Sequence, residues 1–476
     1  MRRRGVLTLG DLWRALTGRE PAHGGVAGAE LASVVIDSRL AGPGSLFVAL
    51  RGEKRDGHEF VRDAFERGAI AALVSRPVEG LSSLAAEGEF PAEAQVPVCL
   101  VVRDALGALQ DLSAYYRRQY PAVRVIGVTG SVGKSSTKEA IAAVLGQRYR
   151  VLKSEGNYNN EIGLPLTLLQ LEHGHERAVL EMGMYALGEI ARLVEISEPS
   201  VGVVTNVGPV HLERLGSIEA VAEAKAELAR GLPPDGVLVL NGDDARVRAM
   251  AAATPARTVI SYGLGESCDL RATDVTSRGL QGVDATFGYR SDAWRVQLPW
   301  PGRHNVYVAL AAAAVGLAEG LSWEEIDAGL RGLGGLGRLR VVRGPAGATI
   351  LDDTYNASPA STLADLDLLA ELPGRRVALL GDMLELGSEE EEGHRRVGRR
   401  AGEVVEMLVV VGRRARWIAE EALRVNPALV VEMAEDRGAA ATWLRPRLRA
   451  GDYVLVKGSR GMALEEAVSL LREEGA

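Results

Sequence analysis

A lysine and a serine behind a run of glycines carry the strongest chemical signal in this chain. Gly127-Val128-Thr129-Gly130-Ser131-Val132-Gly133-Lys134-Ser135-Ser136 follows the apolar residues 123–126 and leads into a helical stretch at 137–145. Glycines let a backbone curl so that successive N–H groups point at phosphate oxygens, and the helix N-terminus adds to the pull. Lys134 is then placed to reach the β- and γ-phosphates and the Ser135 hydroxyl to ligate Mg²⁺, with Gly130, Ser131, Val132, Gly133 and Ser136 completing the cradle. The common spacing has glycine at position 128, where this chain has Val128. The ligand is ATP or GTP. Kinases, switches and ligases all use such a loop, so it does not by itself name the reaction.

An α/β scaffold has to hold that loop. Apolar runs at 123–129, 177–182, 201–206 and 237–241 alternate with helical patterns at 188–196 and 217–231, the mark of right-handed βαβ units in a mostly parallel sheet with helices on both faces. Three of these runs end in Glu181, Asn206 and Asn241, at the strand ends where open α/β sheets bind ligands. Residues 1–103 hold shorter strands, at 33–36, 46–50, 70–74 and 98–102, with 77–97 reading as a loop. After a glycine-crowded stretch at 329–337, which reads as a linker, the alternation resumes at 349–353, 376–382, 407–412 and 453–458. The expectation is three α/β domains: a smaller one at 1–103, a central P-loop domain at 104–331 and a Rossmann-like domain at 332–476.

Composition narrows the class. With 476 residues, 47% hydrophobic and 25% charged, the chain is long enough for several packed cores and is not disordered. A net charge of -8 argues against a general nucleic-acid binder, so any anionic ligand must be held locally. Two cysteines, Cys99 and Cys268, give no disulfide framework and fit a reducing compartment. The longest apolar stretch, 306–318, falls short of the ~20 residues a bilayer needs and reads as a buried helix. A cytoplasmic monomer without a membrane span is expected.

The shifted glycine spacing resembles that of the Mur ligases and folylpolyglutamate synthases. Further segments resemble the Mur ligases in order along essentially the whole chain: Asp37-Ser38-Arg39, Asp56-Gly57-His58, Asn157-Tyr158-Asn159-Asn160, Glu181-Met182-Gly183, Asn206-Val207-Gly208-Pro209-Val210-His211, Gly302-Arg303-His304-Asn305, Asp352-Asp353-Thr354-Tyr355-Asn356, Gly381-Asp382-Met383-Leu384-Glu385-Leu386-Gly387 and Lys457-Gly458-Ser459-Arg460. The last three resemble the branch that adds D-alanyl-D-alanine to UDP-N-acetylmuramoyl-tripeptide. The Asn-Pro-Arg type pattern of the branch that adds a diamino acid is not found. The resemblance implies an ATP-dependent ligase of peptidoglycan precursor synthesis working through an acyl phosphate. The alternatives are a diamino-acid-adding sibling, a polyglutamate-type synthase or, from another class, a nucleotide-binding switch.

The resemblance also implies roles. Lys134, His211 and Lys225 are the catalytic candidates, with Lys225 matching a lysine that is carbamoylated by CO₂ in related ligases. Two Mg²⁺ ions fall to Ser135, Glu181, His211 and a carbamoylated Lys225. Nucleotide contacts fall to His304, Asn305, Arg338 and Asp353. The UDP-sugar peptide is assigned Ser38, Arg39, Asp56, Gly57 and His58, and, near the reacting carboxylate, Asn157, Asn159 and Asn160. Tyr355 and Asn356 are placed in the same crevice as Asp353. Lys457, Ser459 and Arg460 follow the last strand, where two cations suit the terminal carboxylate of the dipeptide.

Overall fold

The structure is a computed structural model that describes residues 6–21, 25–52, 54–91, 93–334 and 339–473. Three β-sheets, of five, nine and six strands, organise the described residues. The chain divides into two compact units, one built from residues 1–127, 149–183 and 189–200 and the other from 128–148, 184–188 and 201–476.

In the first unit a five-stranded sheet has the order β1 (Ser33–Val35), β2 (Ser45–Val48), β3 (Ala71–Val74), β5 (Val98–Val101), β4 (Ser83–Ala85). Every pairing in it is parallel. β4 lies inside the 77–97 stretch expected to be a loop. It has only three residues between turn formers, too short for a period-2 pattern to register, and pairing with β5 makes it a strand. Phe47, Ala72, Val74 and Cys99 from this sheet bury against Val61 and Ala64 of the helix Val61–Glu66. The helix Ala105–Arg118, capped at Asp104, also belongs to this unit, as do the parallel strands β7 (Val151–Lys153) and β8 (Arg177–Glu181). Strand β6 (Arg124–Thr129) begins in the first unit and ends in the second.

In the second unit, β9 (Val201–Val204), β10 (Val237–Asn241), β11 (Thr258–Gly263) and β12 (Leu270–Ser277) run parallel. They continue into an antiparallel meander of β12, β13 (Val283–Tyr289) and β14 (Asp292–Leu298). The sheet is therefore mostly parallel, as expected, with an antiparallel edge in a stretch, 258–298, where the sequence analysis named no strand. From Val283 to Phe287 in β13, buried residues alternate with half-buried ones, the pattern of a sheet with one face less covered than the other.

The 306–318 stretch is the buried helix Asn305–Ala318, packed beside the phosphate-loop helix Lys134–Leu145 and the helix Trp323–Gly332. That last helix corrects the expected linker: four of the glycine-rich stretch's residues, 329–332, are helical. A Cβ on Gly329 would stand 2.5 Å from Val144 Cα, so this glycine lets two helices touch rather than the chain bend.

Beyond it, a six-stranded sheet has the order β15 (Arg340–Arg343), β16 (Thr349–Asp353), β20 (Asp452–Lys457), β17 (Arg375–Gly381), β18 (Met407–Val411), β19 (Val430–Ala434). Only the β15–β16 pair is antiparallel. Successive residues of its strands feed two separate cores. Leu351, Ala378, Leu380, Leu408, Val410 and Leu455 join one. Ile350, Val377, Leu379, Val409, Val454 and Val456 join the other. Helices therefore cover both faces, as the Rossmann-like reading of this block requires.

Candidate functional site

The phosphate loop lies in the second unit, between the end of β6 and the helix Lys134–Leu145. Gly130 has φ +150° and Gly133 φ +85°, and a Cβ on Gly130 would fall 1.8 Å from Thr205 Oγ1. The loop is held from one side by the residues after β9. The Asn206 carboxamide brackets Val132, accepting its N–H at 2.9 Å and donating to its carbonyl at 2.8 Å. Thr205 Oγ1 donates to the same carbonyl at 2.7 Å, and the Ser131 hydroxyl accepts the Gly208 N–H at 2.8 Å. With its carbonyls tied back, the loop turns directly into the helix that starts at Lys134, so Lys134, Ser135 and Ser136 form the helix's first turn beside the curl. The Lys134 ammonium donates to Gly130 O at 2.8 Å inside this curl. That is the arrangement of an anion cradle with its own cation.

Two further groups share the electrostatics of Lys134. Lys225, on the helix Ile218–Arg230, is 2% exposed, and burial first, then the Lys134 charge, hold its amine well below the usual lysine range. His211 has φ +55°, and its Nδ1 lies 2.7 Å from Glu385 Oε2, while the Tyr185 ring meets it edge-on at 4.7 Å. Burial lowers its pKa; Glu385 pulls the other way, and Lys134 and Lys225 push down with the burial. Lys134, His211 and Lys225, far apart in sequence, are thus brought into one electrostatic environment.

In the first unit, Glu181 ends β8 with 2% exposure. Asn159 Nδ2 donates to its Oε1 at 2.8 Å, whereas Oε2 is buried with no hydrogen-bond partner among the described residues. A buried carboxylate oxygen left open is costly unless something positive completes it, and it is the donor chemistry a hard cation takes. Asn160 works within its own turn, its Oδ1 accepting the Gly163 N–H at 2.9 Å, and Asn157 O accepts the Asn159 N–H at 2.7 Å.

The remaining candidates of this unit are tied into the fold. His58 is 5% exposed: its Nε2 accepts the Ser75 N–H at 2.9 Å, which leaves Nδ1 to donate to Asp56 at 2.6 Å. Asp56 is drawn down to about 2, chiefly by the backbone N–H and ring of His58. The Gly57 N–H donates to Leu50 O at 2.8 Å. Ser38 is buried and hydrogen-bonds Asp63, whereas Arg39 is exposed and its guanidinium pairs with the Asp37 carboxylate.

In the C-terminal block of the second unit, Lys457 and Asp353 are directly opposite in the β16–β20 register. Lys457 is 1% exposed, ion-paired with Asp353, and 2.9 Å from Asp365. Its cation therefore serves two carboxylates of the fold, Asp353 and Asp365, an engagement its place after the strand did not suggest. The cause is tertiary: Asp365 comes from the helix Pro359–Ala370, 92 residues before Lys457 in sequence. Ser459 is also internal, accepting the Leu384 N–H at 2.8 Å. Arg460 alone of that trio is solvent-facing, with its guanidinium 5.5 Å from the Tyr355 ring centre. Asn356 Oδ1 accepts the Ala357 N–H. Asn305 Nδ2 donates to Pro301 O at 2.6 Å, and His304, exposed at the surface but crowded by protein, is lowered to about 4 by desolvation and then by Lys457. Arg338 lies outside the described residues.

Sequence reasoning missed Thr205 and Glu385. Thr205 reads as one more β-branched strand residue, and Glu385 as one more acid. Only their position in space makes the first a prop for the phosphate loop and the second a neighbour of His211.

Fold and site together define a P-loop nucleotide-binding α/β protein of the multidomain kind, with an internally braced anion cradle. Family models for the Mur ligase family catalytic domain, the Mur ligase middle domain and the Mur ligase glutamate ligase domain match residues 30–117, 128–316 and 337–460. The chain is 39% identical to the UDP-N-acetylmuramoyl-tripeptide–D-alanyl-D-alanine ligase of Bacillus subtilis (strain 168), covering 92% of this chain and 93% of that one. It is 38% identical to the ligase of the same name from Escherichia coli (strain K12), covering 95% and 97%. Among solved structures, MurF from Acinetobacter baumannii superposes with a TM-score of 0.84 at 31% identity over 98% of each chain. MurF ligase from Thermotoga maritima in complex with ADP gives 0.79 at 29% identity over 93% of this chain and 97% of that one. The chain belongs to the Mur ligase family.

Proposed function

We propose that this enzyme joins D-alanyl-D-alanine to UDP-N-acetylmuramoyl-tripeptide, converting ATP to ADP and phosphate and yielding UDP-N-acetylmuramoyl-pentapeptide. The observation that carries the reading is the braced loop around Lys134 in a chain whose relatives of that name match it over more than nine-tenths of its length. A carboxylate is a poor electrophile. One of its oxygens attacks the γ-phosphorus and ADP departs; the dipeptide amine then attacks the acyl carbon and phosphate leaves with the oxygen it received. In the first step anions must approach one another, so the protein's work is positioning and neutralisation of charge. The loop N–H groups grip the phosphates, and Lys134 shifts from Gly130 O onto the phosphoryl oxygens as they gain charge.

Mg²⁺ suits the donors each unit holds by itself, the Glu181 carboxylate in the first and the Ser135 hydroxyl and His211 in the second, and would supply charge neutralisation on the phosphates. Burial, and after it the Lys134 charge, shifts Lys225 toward the neutral amine, the form that takes up CO₂ as a carbamate and so adds an anionic oxygen donor. Enzyme equilibrated with ¹³C-bicarbonate should show a carbamate carbon signal that Lys225→Ala lacks; the same spectrum from both proteins refutes the modification. We assign the exposed Arg460 and Arg39, and the half-buried Tyr355 beside Arg460, to substrate. Residues 1–103, 104–331 and 332–476 act as the sugar-peptide, nucleotide and dipeptide domains of a monomer working in the cytoplasm. No helix among the described residues is long and apolar enough to cross a membrane.

The test is phosphate release with ATP, Mg²⁺ and the two acceptors added singly and together. Release coupled to a pentapeptide product only when both are present supports the reading; steady hydrolysis indifferent to either, or turnover with a diamino acid instead, removes it. Lys134→Ala should lower kcat by about 100-fold or more with an unchanged circular dichroism spectrum.

A further inference from the structure

The phosphate loop rests on the segment after β9, and that segment rests in turn on the exit turn of β10, Asn241-Gly242-Asp243-Asp244. Asp244 divides its two oxygens. Oδ1 caps the short helix Ala245–Ala249, accepting the N–H of Arg246 at 2.9 Å and of Val247 at 3.2 Å. Oδ2 reaches the other way and accepts the Val207 N–H at 2.8 Å. Asn241 supports it from the strand end, its Nδ2 donating to Thr205 O at 2.9 Å. Thr205 to Gly208 is the stretch whose side chains and backbone bracket Ser131 and Val132. The bond from Asp244 to Val207 is charge-assisted and partly buried, so losing it strands an amide in the very segment that sets the loop's shape.

We propose that Asp244, seconded by Asn241, is a positioning residue for nucleotide binding: it touches no ligand, and fixes the phosphate loop through Val207 and Thr205. The inference rests on the nucleotide reading of that loop. A carboxylate has an oxygen for each task, whereas serine at 244 can cap the helix but is too short to reach Val207. Asp244→Ser therefore separates loop positioning from capping.

The experiment measures ADP affinity in Mg²⁺ by calorimetry, together with amide hydrogen exchange, on the full chain. Asp244→Ser and, independently, Asn241→Ala should each weaken ADP binding by about tenfold and speed exchange at 130–133 and 206–208 by a similar factor. KM for the acceptor substrates should stay within about twofold of the wild type. Asp436→Ala, which deletes a cap on the remote helix Arg437–Leu444, is the control for destabilisation alone and should leave ADP affinity unchanged. If both turn variants bind ADP within twofold of wild type, or lose no more than the control, the proposal is wrong. If wild-type protein binds no ADP, the nucleotide reading fails, and exchange at 130–133 alone still decides whether Asp244 braces the loop.

Discussion

Lys457 and Arg460 are three residues apart, and both are cations, yet the fold gives them opposite work. Lys457 is buried between Asp353 and Asp365, while Arg460 lies in solvent near Tyr355. Arg460→Ala should therefore raise the KM for D-alanyl-D-alanine by about tenfold with little change in melting temperature. Lys457→Met leaves the buried Asp365 and the half-buried Asp353 without their cation and should cost about 3 kcal/mol of stability, read by denaturant unfolding, before it touches any KM. Asp365 adds a pH signature. Burial, and after it Asp353, outweigh the pull of Lys457 and push its carboxyl from 3.8 up to about 7. The native state thus holds a proton that the unfolded chain releases near pH 4, so stability falls as pH rises from about 4 through 7. Asp365→Asn cannot titrate, and unfolding curves at pH 5 and 8 should show it gaining on wild type by more than about 1 kcal/mol over that interval. A constant difference at both pH values would contradict this account.

At the scale of elements, the phosphate-loop helix is fixed at both ends by different means. Its start is set by hydrogen bonds from the β9 exit to Ser131 and Val132. Its far end packs against the helix Trp323–Gly332, with Gly329 resting on Val144. Gly329→Leu should force those helices apart and lower stability by about 2 kcal/mol, with ADP affinity nearly unchanged because the loop is braced elsewhere. Calorimetric melting with and without ADP would check both halves of that expectation. The alternation of strand and helix was visible in the sequence because parallel strands buried on both faces are continuous apolar runs. β4, with three residues, and the β12–β14 meander lacked such runs and were missed.

Taken whole, a molecule of this construction should respond to its nucleotide as a single binding event coupled to folding. ADP at about 100 times its dissociation constant should raise stability by about 2.7 kcal/mol, measured as a rise in melting temperature, while D-alanyl-D-alanine alone should do much less. The sequence by itself determined the α/β class, the place of the phosphate loop and the ordered set of motifs, because glycine conformations, apolar runs and strand-end polar residues are local properties. Only the tertiary structure decided which motif residues remain available: it turned Lys457, Ser459 and His58 inward onto partners, left Glu181 Oε2 open, and made props of Thr205 and Asp244. A side chain's free valence depends on neighbours brought from distant parts of the chain, and no local pattern records them.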